Sequence, residues 1–119
     1  MDSRSLGRWG EEQAARYLRL RGYRVLDMNY KCRGGEIDII ARKAKYIVFV
    51  EVKLRKSANF AEGREFVNYS KQQRIILTAQ HYLQQFPTEL QPRFDVIEIY
   101  APNGTESKIS IEHIKDAFM

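Results

Sequence analysis

The sequence predicts an α/β fold in which helices flank a mixed sheet, with the element order αβββαββα. Two observations predict helices: apolar residues recur with a helical period over 7–21 and again over 70–86. A third observation predicts the sheet, because short apolar runs separated by turn residues fill 23–54 and 93–111. The 119 residues are enough for one domain, residues 1–119, with a sizeable core.

The first helix is predicted over residues 7–21, with Gly22 ending it. One face holds the residues that fall at i, i+3, i+4 and i+7, which are Glu11, Ala14, Ala15 and Leu18. Because this face is otherwise apolar, Glu11 is expected to point inward near the start of the helix. Two interpretations stay open for it: a capping charge that interacts with the helix dipole, or an acid that reaches a neighbouring site.

Five strands are predicted from short apolar runs, at 23–30, 36–42, 46–54, 93–100 and 107–111. Turn residues separate several of them, at Gly34-Gly35, Ala44-Lys45 and Asn103-Gly104. The second helix is expected to begin with a capping box formed by Ser70 and Gln73 and to end before Pro87. Residues 55–69 are expected to form a loop, and residues 113–118 a short C-terminal helix.

The chain is basic, with 20 Lys and Arg residues against 15 Asp and Glu residues, a net charge of +5 and a pI near 9.4. Such a surplus attracts polyanions, nucleic acid first among them. No apolar run is long enough to span a bilayer, and the first residues lack the apolar core of a signal peptide. A cytoplasmic protein without membrane association is therefore expected.

Three charged residues interrupt the two most apolar predicted strands, in the segment GGEIDIIARKAKYIVFVEVK at 34–53. They are Asp38, Glu51 and Lys53. Since side chains alternate along a strand, Glu51 and Lys53 share a face. If Ala44-Lys45 is a two-residue turn, Asp38 lies opposite Glu51. Two opposed carboxylates repel each other unless a cation lies between them.

These three residues have the chemistry for metal-dependent hydrolysis of a phosphodiester. A hard divalent ion such as Mg²⁺ binds through one or two carboxylates and keeps several waters. The ion polarises a phosphate and activates a water, and an adjacent ammonium stabilises the charge that develops. The alternative is structural: an ion pair of Glu51 with Lys53, beside an Asp38 that faces solvent.

The same residues resemble the PD-(D/E)xK signature of restriction endonucleases and archaeal Holliday-junction resolvases. Over most of its length the chain resembles the YraN family of small bacterial proteins, whose fold is endonuclease-like. The stretches that carry this resemblance are GRWGEEQAARYLRLRGY at 7–23, GEIDIIA at 35–41, VFVEVKLR at 48–55 and RFDVIEIY at 93–100. One position departs from the signature, since Ile37 precedes Asp38 where the signature has a proline.

The resemblance implies a restriction-endonuclease-like α/β fold and roles for individual residues. Asp38 and Glu51 would be metal ligands, and Lys53 would be the catalytic lysine. Glu11 matches the helix acid of the resolvases and would join the metal site. The resemblance also implies Mg²⁺ or Mn²⁺ as the cofactor, DNA rather than RNA as the substrate, and a homodimer as one assembly.

Basic residues that follow the proposed site are expected to grip phosphates on either side of the reacting bond. They are Arg55, Lys56, Arg64, Lys71 and Arg74. For each of them a solvated surface position is the alternative. Asp95, in the fourth predicted strand, is instead expected to form an internal hydrogen bond to a neighbouring strand.

The predicted function is therefore metal-dependent endonucleolytic hydrolysis of phosphodiester bonds in DNA, structured or branched DNA included. Two other functions stay open: a nucleic-acid-binding protein that keeps the fold without turnover, and a small structural protein whose charge cluster organises the core. Loss of cleavage but not of binding in Lys53→Ala separates the first function from the second.

Overall fold

The computed structural model describes residues 2–55, 67–102 and 108–119 as a five-stranded mixed sheet with a helix packed on each face. The elements, in chain order, are α1 (Ser3–Leu20), β1 (Arg24–Cys32), β2 (Gly35–Lys43), β3 (Tyr46–Arg55), α2 (Tyr69–Gln85), β4 (Gln91–Tyr100) and β5 (Ser110–Ile114). The predicted α/β class is confirmed. Neither helix combines the length and the apolar content that a membrane span requires.

The strands lie in the order β1-β2-β3-β4-β5, which is also their order in the sequence. All neighbours are antiparallel except β3 and β4, which run parallel and are joined through α2. Lys43 pairs with Tyr46, so the predicted two-residue turn at Ala44-Lys45 is confirmed. Ala44 has a φ of 53°, the left-handed conformation that such tight turns require.

Each face of the sheet carries its own core layer. The α1 layer buries Ala14, Ala15, Leu18, Tyr23, Ile39, Ala41, Val48, Val50, Ile97 and Ile99. The α2 layer buries Ile37, Ile40, Ile47, Phe49, Val67, Ile75, Ala79, Tyr82, Phe94 and Val96. Because β3 is covered on both faces, its residues read as a continuous apolar run rather than an alternating one.

Both helices begin at polar caps, and the second cap differs from the prediction. The Asp2 carboxylate accepts a hydrogen bond from the Ser5 backbone N–H at 2.8 Å, so α1 begins before the predicted start. Asn68 caps α2 by accepting from the Lys71 N–H at 2.9 Å. The predicted capping box of Ser70 and Gln73 is therefore wrong, because an asparagine two residues earlier is an equally good cap.

The predicted C-terminal helix over 113–118 is also wrong. Strand β5 continues to Ile114, a turn covers 115–116, and no helix follows. Backbone hydrogen bonds tie the end of the chain to β4 instead, including Ala117 N–H to the Phe94 carbonyl at 2.7 Å. The predicted turn at Asn103-Gly104 and all of the predicted loop from 56 to 66 lie outside the described residues.

Candidate active site

The predicted acidic residues meet at one end of the sheet, called the acidic end below. Strand β2 begins there and strand β3 ends there, which places Asp38 beside Glu51. The N-terminal half of α1 reaches this end from one face and brings Glu11 to Asp38. The first turn of α2 reaches it from the other face and brings Lys71 to Glu51.

Asp38 occupies a break in the ladder between β2 and β3. The regular register runs from Lys43–Tyr46 to Ile39–Val50. Beyond it, the Asp38 carboxylate, rather than a backbone carbonyl, accepts the hydrogen bond of the Val52 N–H, at 2.8 Å. A side chain that takes the place of a ladder partner is held firmly in position, so Asp38 is fixed at the edge of the paired region.

Three carboxyl groups from three elements form a continuous chain, Glu11–Asp38–Glu51. The Asp38 carboxyl is close enough to both the Glu51 and the Glu11 carboxyls for each of them to influence its pKa. Burial, followed by the contact with Glu51, raises the pKa of Asp38 to about 7. Burial also raises the pKa of Glu11, against the lowering effect of Asn29, which donates to its Oε1 at 2.9 Å.

The donor chemistry of this chain fits a hard divalent ion better than a closed metal cage. Within residues 2–55, 67–102 and 108–119, no group of three or more His, Cys, Asp or Glu side chains is arranged so that it could hold a metal ion. Mg²⁺ and similar ions need only one or two carboxylates and complete their shell with water. Asp38 and Glu51 supply two such carboxyl groups. Their binding of an ion, like the role of Glu11 as a third ligand, stays a prediction.

Two lysines belong to the acidic end, and they reach it from different elements. Val52 and Leu54 pack on the α1 layer, so Lys53 faces the α2 side of the sheet together with Glu51, as predicted. The ion pair that Glu51 makes is with Lys71, whose Nζ lies 3.4 Å from Oε2. In the part of the chain that the structure describes, Glu51 makes no ion pair with Lys53, so the structural alternative is wrong in that form.

Gly35 explains why α2 comes so close to the acidic residues. A Cβ added to Gly35 would lie 2.9 Å from Thr78 Oγ1, closer than real side chains approach. The helix therefore packs directly on the backbone at the start of β2. This contact positions Lys71 and Arg74 beside Asp38, in a cleft of about 220 Å³.

A buried acid that the sequence did not single out lies on the α2 side of the sheet, the side that Glu51 and Lys53 also face. Glu98, on β4, is 1% exposed and pairs in the ladder with Lys53. Its carboxylate accepts from Arg55 Nε at 3.2 Å and from the Tyr100 hydroxyl at 3.1 Å. A charge inside the apolar run of RFDVIEIY is the same signal that singled out Asp38, and applying it there would have found Glu98.

The predicted phosphate-binding residues fall into three groups. Lys71 and Arg74 line the α2-side cleft with Asp38 and Glu51. Arg55 is held by Glu98 at the end of β3. Lys56 and Arg64 lie outside the described residues. All of the assignments to nucleic acid stay predictions.

A mixed α/β sheet with adjacent carboxyl groups at one end defines the class of this protein, an α/β fold compatible with the endonuclease-like type. Residues 10–99 match the model of the uncharacterised protein family UPF0102, and the chain belongs to this family, also known as the YraN family. The predicted family is thereby confirmed.

Similarity to curated members of the family extends over the full chain. A UPF0102 protein of Caldanaerobacter subterraneus subsp. tengcongensis is 43% identical over 119 residues, which cover 99% of this chain and 98% of that protein. One from Syntrophotalea carbinolica is 44% identical, over 96% of this chain and 91% of that protein. One from Alkaliphilus oremlandii is 44% identical, over 98% of this chain and 99% of that protein.

Proposed function

We propose that this protein is a metal-dependent endonuclease that hydrolyses phosphodiester bonds in DNA, structured or branched DNA included. The observation that carries the proposal is the Glu11–Asp38–Glu51 chain, in which neighbouring carboxyl groups repel each other at the end of an apolar sheet. This repulsion destabilises the fold unless a cation neutralises the carboxyl groups. Binding such a cation is therefore a functional reason for the arrangement.

Asp38 and Glu51 are the proposed ligands of Mg²⁺ or Mn²⁺, with Glu11 beside them. When bound, such an ion supplies a Lewis acid for the phosphate and lowers the pKa of a coordinated water. Asn29 holds the Glu11 carboxyl through its Oε1 and so orients the acid toward Asp38.

The lysines supply the positive charge that the reaction needs. In the proposed mechanism, Lys53 stabilises the charge that develops on the phosphate, or orients the attacking water. Lys71 and Arg74 hold non-reacting phosphate oxygens from the α2 side. Lys71 is already 3.4 Å from Glu51, so its ammonium is at the site.

A cleavage screen tests the proposal. Linear, single-stranded, flapped and four-way DNA, with matched RNA strands, are incubated with the protein and with Mg²⁺ or Mn²⁺. Cleavage is expected for the wild type and not for Lys53→Ala, while both bind DNA equally in EDTA. Lys45→Ala is the matched control, because Lys45 lies in the exposed β2–β3 turn at the opposite end of the sheet.

A nucleic-acid-binding protein without turnover is the second candidate. The ion pair between Lys71 and Glu51 favours it, because that ammonium already neutralises one of the proposed metal ligands. This candidate predicts salt-sensitive DNA binding, no cleavage with either metal, and no effect of Lys53→Ala.

We further propose a homodimer, since cutting two strands of a branched DNA needs two active sites. We also propose a cytoplasmic location. Sedimentation of the protein with and without four-way DNA tests the assembly: a dimer in both conditions supports it, and a monomer in both contradicts it.

A further inference from the structure

A second cleft opens on the α1 side of the acidic end. It has a volume of about 480 Å³, more than twice that of the α2-side cleft. Its wall is one side of α1 together with the ends of β1 and β2, formed by Arg4, Gly7, Arg8, Glu11, Asn29, Lys31 and Glu36. None of the basic residues in this group was predicted to bind nucleic acid. This group is called the α1 cleft below.

The α1 cleft is the more cationic of the two clefts. It holds Arg4, Arg8 and Lys31 against two acids, whereas the α2-side cleft holds Lys71 and Arg74 against three. Lys31 is paired with Glu36, at 3.5 Å between Nζ and Oε2. Arg4 and Arg8 are exposed, and no ion pair among the described residues engages either of them. Arg8 does act electrostatically on the Asp2 carboxylate that caps the helix, where it contributes to lowering the pKa of Asp2. Both guanidinium groups, one helical turn apart, are nevertheless accessible to an anion from outside the chain.

Gly7 leaves the helix backbone in the α1 cleft open to a ligand. It lies inside α1, where a glycine destabilises a helix relative to alanine. A Cβ added to Gly7 would meet no atom within 4 Å, so no internal packing requires the glycine. Between Arg4 and Arg8 the helix thus presents bare backbone to the cleft, and a ligand can approach it closely.

The α1 cleft is continuous with the acidic residues. Glu11 lines the cleft and also contacts Asp38, and Glu36 lines both clefts. A chain of phosphates that passes Asp38 therefore extends directly to Arg8 and Arg4 on the next turns of the helix. A single small anion would contact only one part of this surface, whereas a chain of phosphates can contact the arginines and also reach Asp38.

We propose that the α1 cleft binds the sugar–phosphate backbone of the DNA strand next to the phosphodiester at Asp38, with Arg4 and Arg8 contacting successive phosphates across Gly7. This inference rests on the proposed function for its substrate. It extends that function by adding a second cationic part of the DNA path, on α1, to the one that Lys71 and Arg74 form on α2.

Binding to a fluorescein-labelled DNA duplex and to its single strand, in EDTA over 50–200 mM KCl, tests the inference without cleavage. Arg4→Ala/Arg8→Ala is expected to weaken binding about tenfold and to lower the slope of log K against log salt by about 2. Arg16→Ala/Arg19→Ala is the matched control, with the same charge change on exposed positions of the same helix, and is expected to stay within about twofold of the wild type.

Gly7→Leu separates shape from charge. It fills the floor of the α1 cleft without changing any charge, so it is expected to weaken binding while the salt slope stays that of the wild type. Equal losses in the two arginine pairs, no loss in either, or no DNA binding by the wild type would each overturn the inference.

The outcomes also distinguish this inference from the proposed function. Selective loss of binding in Arg4→Ala/Arg8→Ala, in a protein that cleaves nothing with either metal, would support the α1 cleft and contradict the nuclease. Normal cleavage and binding by the same variant would support the nuclease and contradict the α1 cleft.

Discussion

Asp38 and Asp95 lie in apolar strands of the same sheet, yet they have opposite electrostatic surroundings. Asp95 is fully buried and accepts from Arg93 Nε at 2.9 Å and Nη2 at 2.7 Å, from the Asp116 N–H at 3.0 Å, and contacts His113 Nε2 at 2.7 Å. Burial raises its pKa, but the hydrogen bonds from His113 and Arg93 outweigh this and hold the pKa below its usual range.

Asp38 has one backbone donor, Val52, and two carboxyl neighbours, and its pKa is raised to about 7. This difference in surroundings separates a buried acid that stabilises the fold from one that is placed to bind a ligand. Where a charge serves the fold, the chain supplies a cation and enough donors, as Arg93 and His113 do for Asp95. Where acids are left facing one another, stability is lost, and a ligand from outside the chain explains the arrangement.

The largest expected effect is on the structural acid. Asp95→Asn leaves Arg93 and His113 with no carboxylate, so it should destabilise the fold by about 3 kcal/mol at pH 7. Since the folded pKa is lowered, the carboxylate stabilises the fold above about pH 4 and stops doing so as pH falls through the folded pKa. Urea denaturation should therefore show the wild type and the variant converging in acid. Equal stability at pH 7 would contradict the role assigned to Asp95.

The same substitution at the other aspartate should have the opposite sign. Asp38→Asn keeps an acceptor for the Val52 N–H and removes the repulsion, so it should stabilise the fold by about 1–3 kcal/mol at pH 8. The folded pKa is raised, so the wild type loses stability as pH rises from about 4 to about 7, and the variant lacks that loss. Urea denaturation at pH 4, 6 and 8 measures it. A less stable Asp38→Asn at pH 8 would mean that the carboxylate serves the fold.

Divalent ions should sharpen the contrast. Mg²⁺ or Mn²⁺ at ten times its Kd should stabilise the wild type by about 1.4 kcal/mol, a rise in Tm of a few degrees. Asp38→Asn and Glu51→Gln should show no such rise, whereas Asp116→Asn, with its side chain at the far end of the sheet, should respond like the wild type. An equal rise in all four proteins would show that the ion binds elsewhere.

The smallest expected effects concern two arginines of the predicted DNA path. Arg55→Met removes a cation that holds buried Glu98, so it should cost about 1 kcal/mol of stability. Arg74→Met removes an exposed charge from the α2-side cleft and should change stability by less than about 0.5 kcal/mol while weakening DNA binding. Thermal unfolding measures the stability of both variants, and fluorescence anisotropy measures their DNA binding. A larger loss of stability in Arg74→Met, with a larger loss of binding in Arg55→Met, would contradict these assignments.

Much of the sheet was predictable because local rules decide it. The tight turn at Ala44-Lys45 sets the β2–β3 register, and alternation then puts Glu51 and Lys53 on one face. The internal hydrogen bonding of Asp95 was predicted too, because a buried acid that lies between apolar residues needs a donor.

What could not be predicted depends on packing between distant segments. The approach of Lys71 to Glu51 follows from the close contact of α2 with Gly35, which no sequence period reveals. The residues after Ile114 lack a helix because Asp95 and Phe94 of β4 bind their backbone N–H groups. The approach of Glu11 to Asp38 likewise depends on how α1 packs on the sheet. The sequence therefore predicted which carboxyl groups belong to the site, but not that Asp38 lies between Glu11 and Glu51.

Single-turnover cleavage of flapped and four-way DNA by the wild type and by Asp38→Asn, with Mn²⁺ and with Mg²⁺, tests the central claim most directly. The account predicts that the wild type cuts and that Asp38→Asn, although folded and at least as stable, is slower by at least about a hundredfold. Equal rates for the two proteins, or no cleavage by the wild type with either ion, would contradict it.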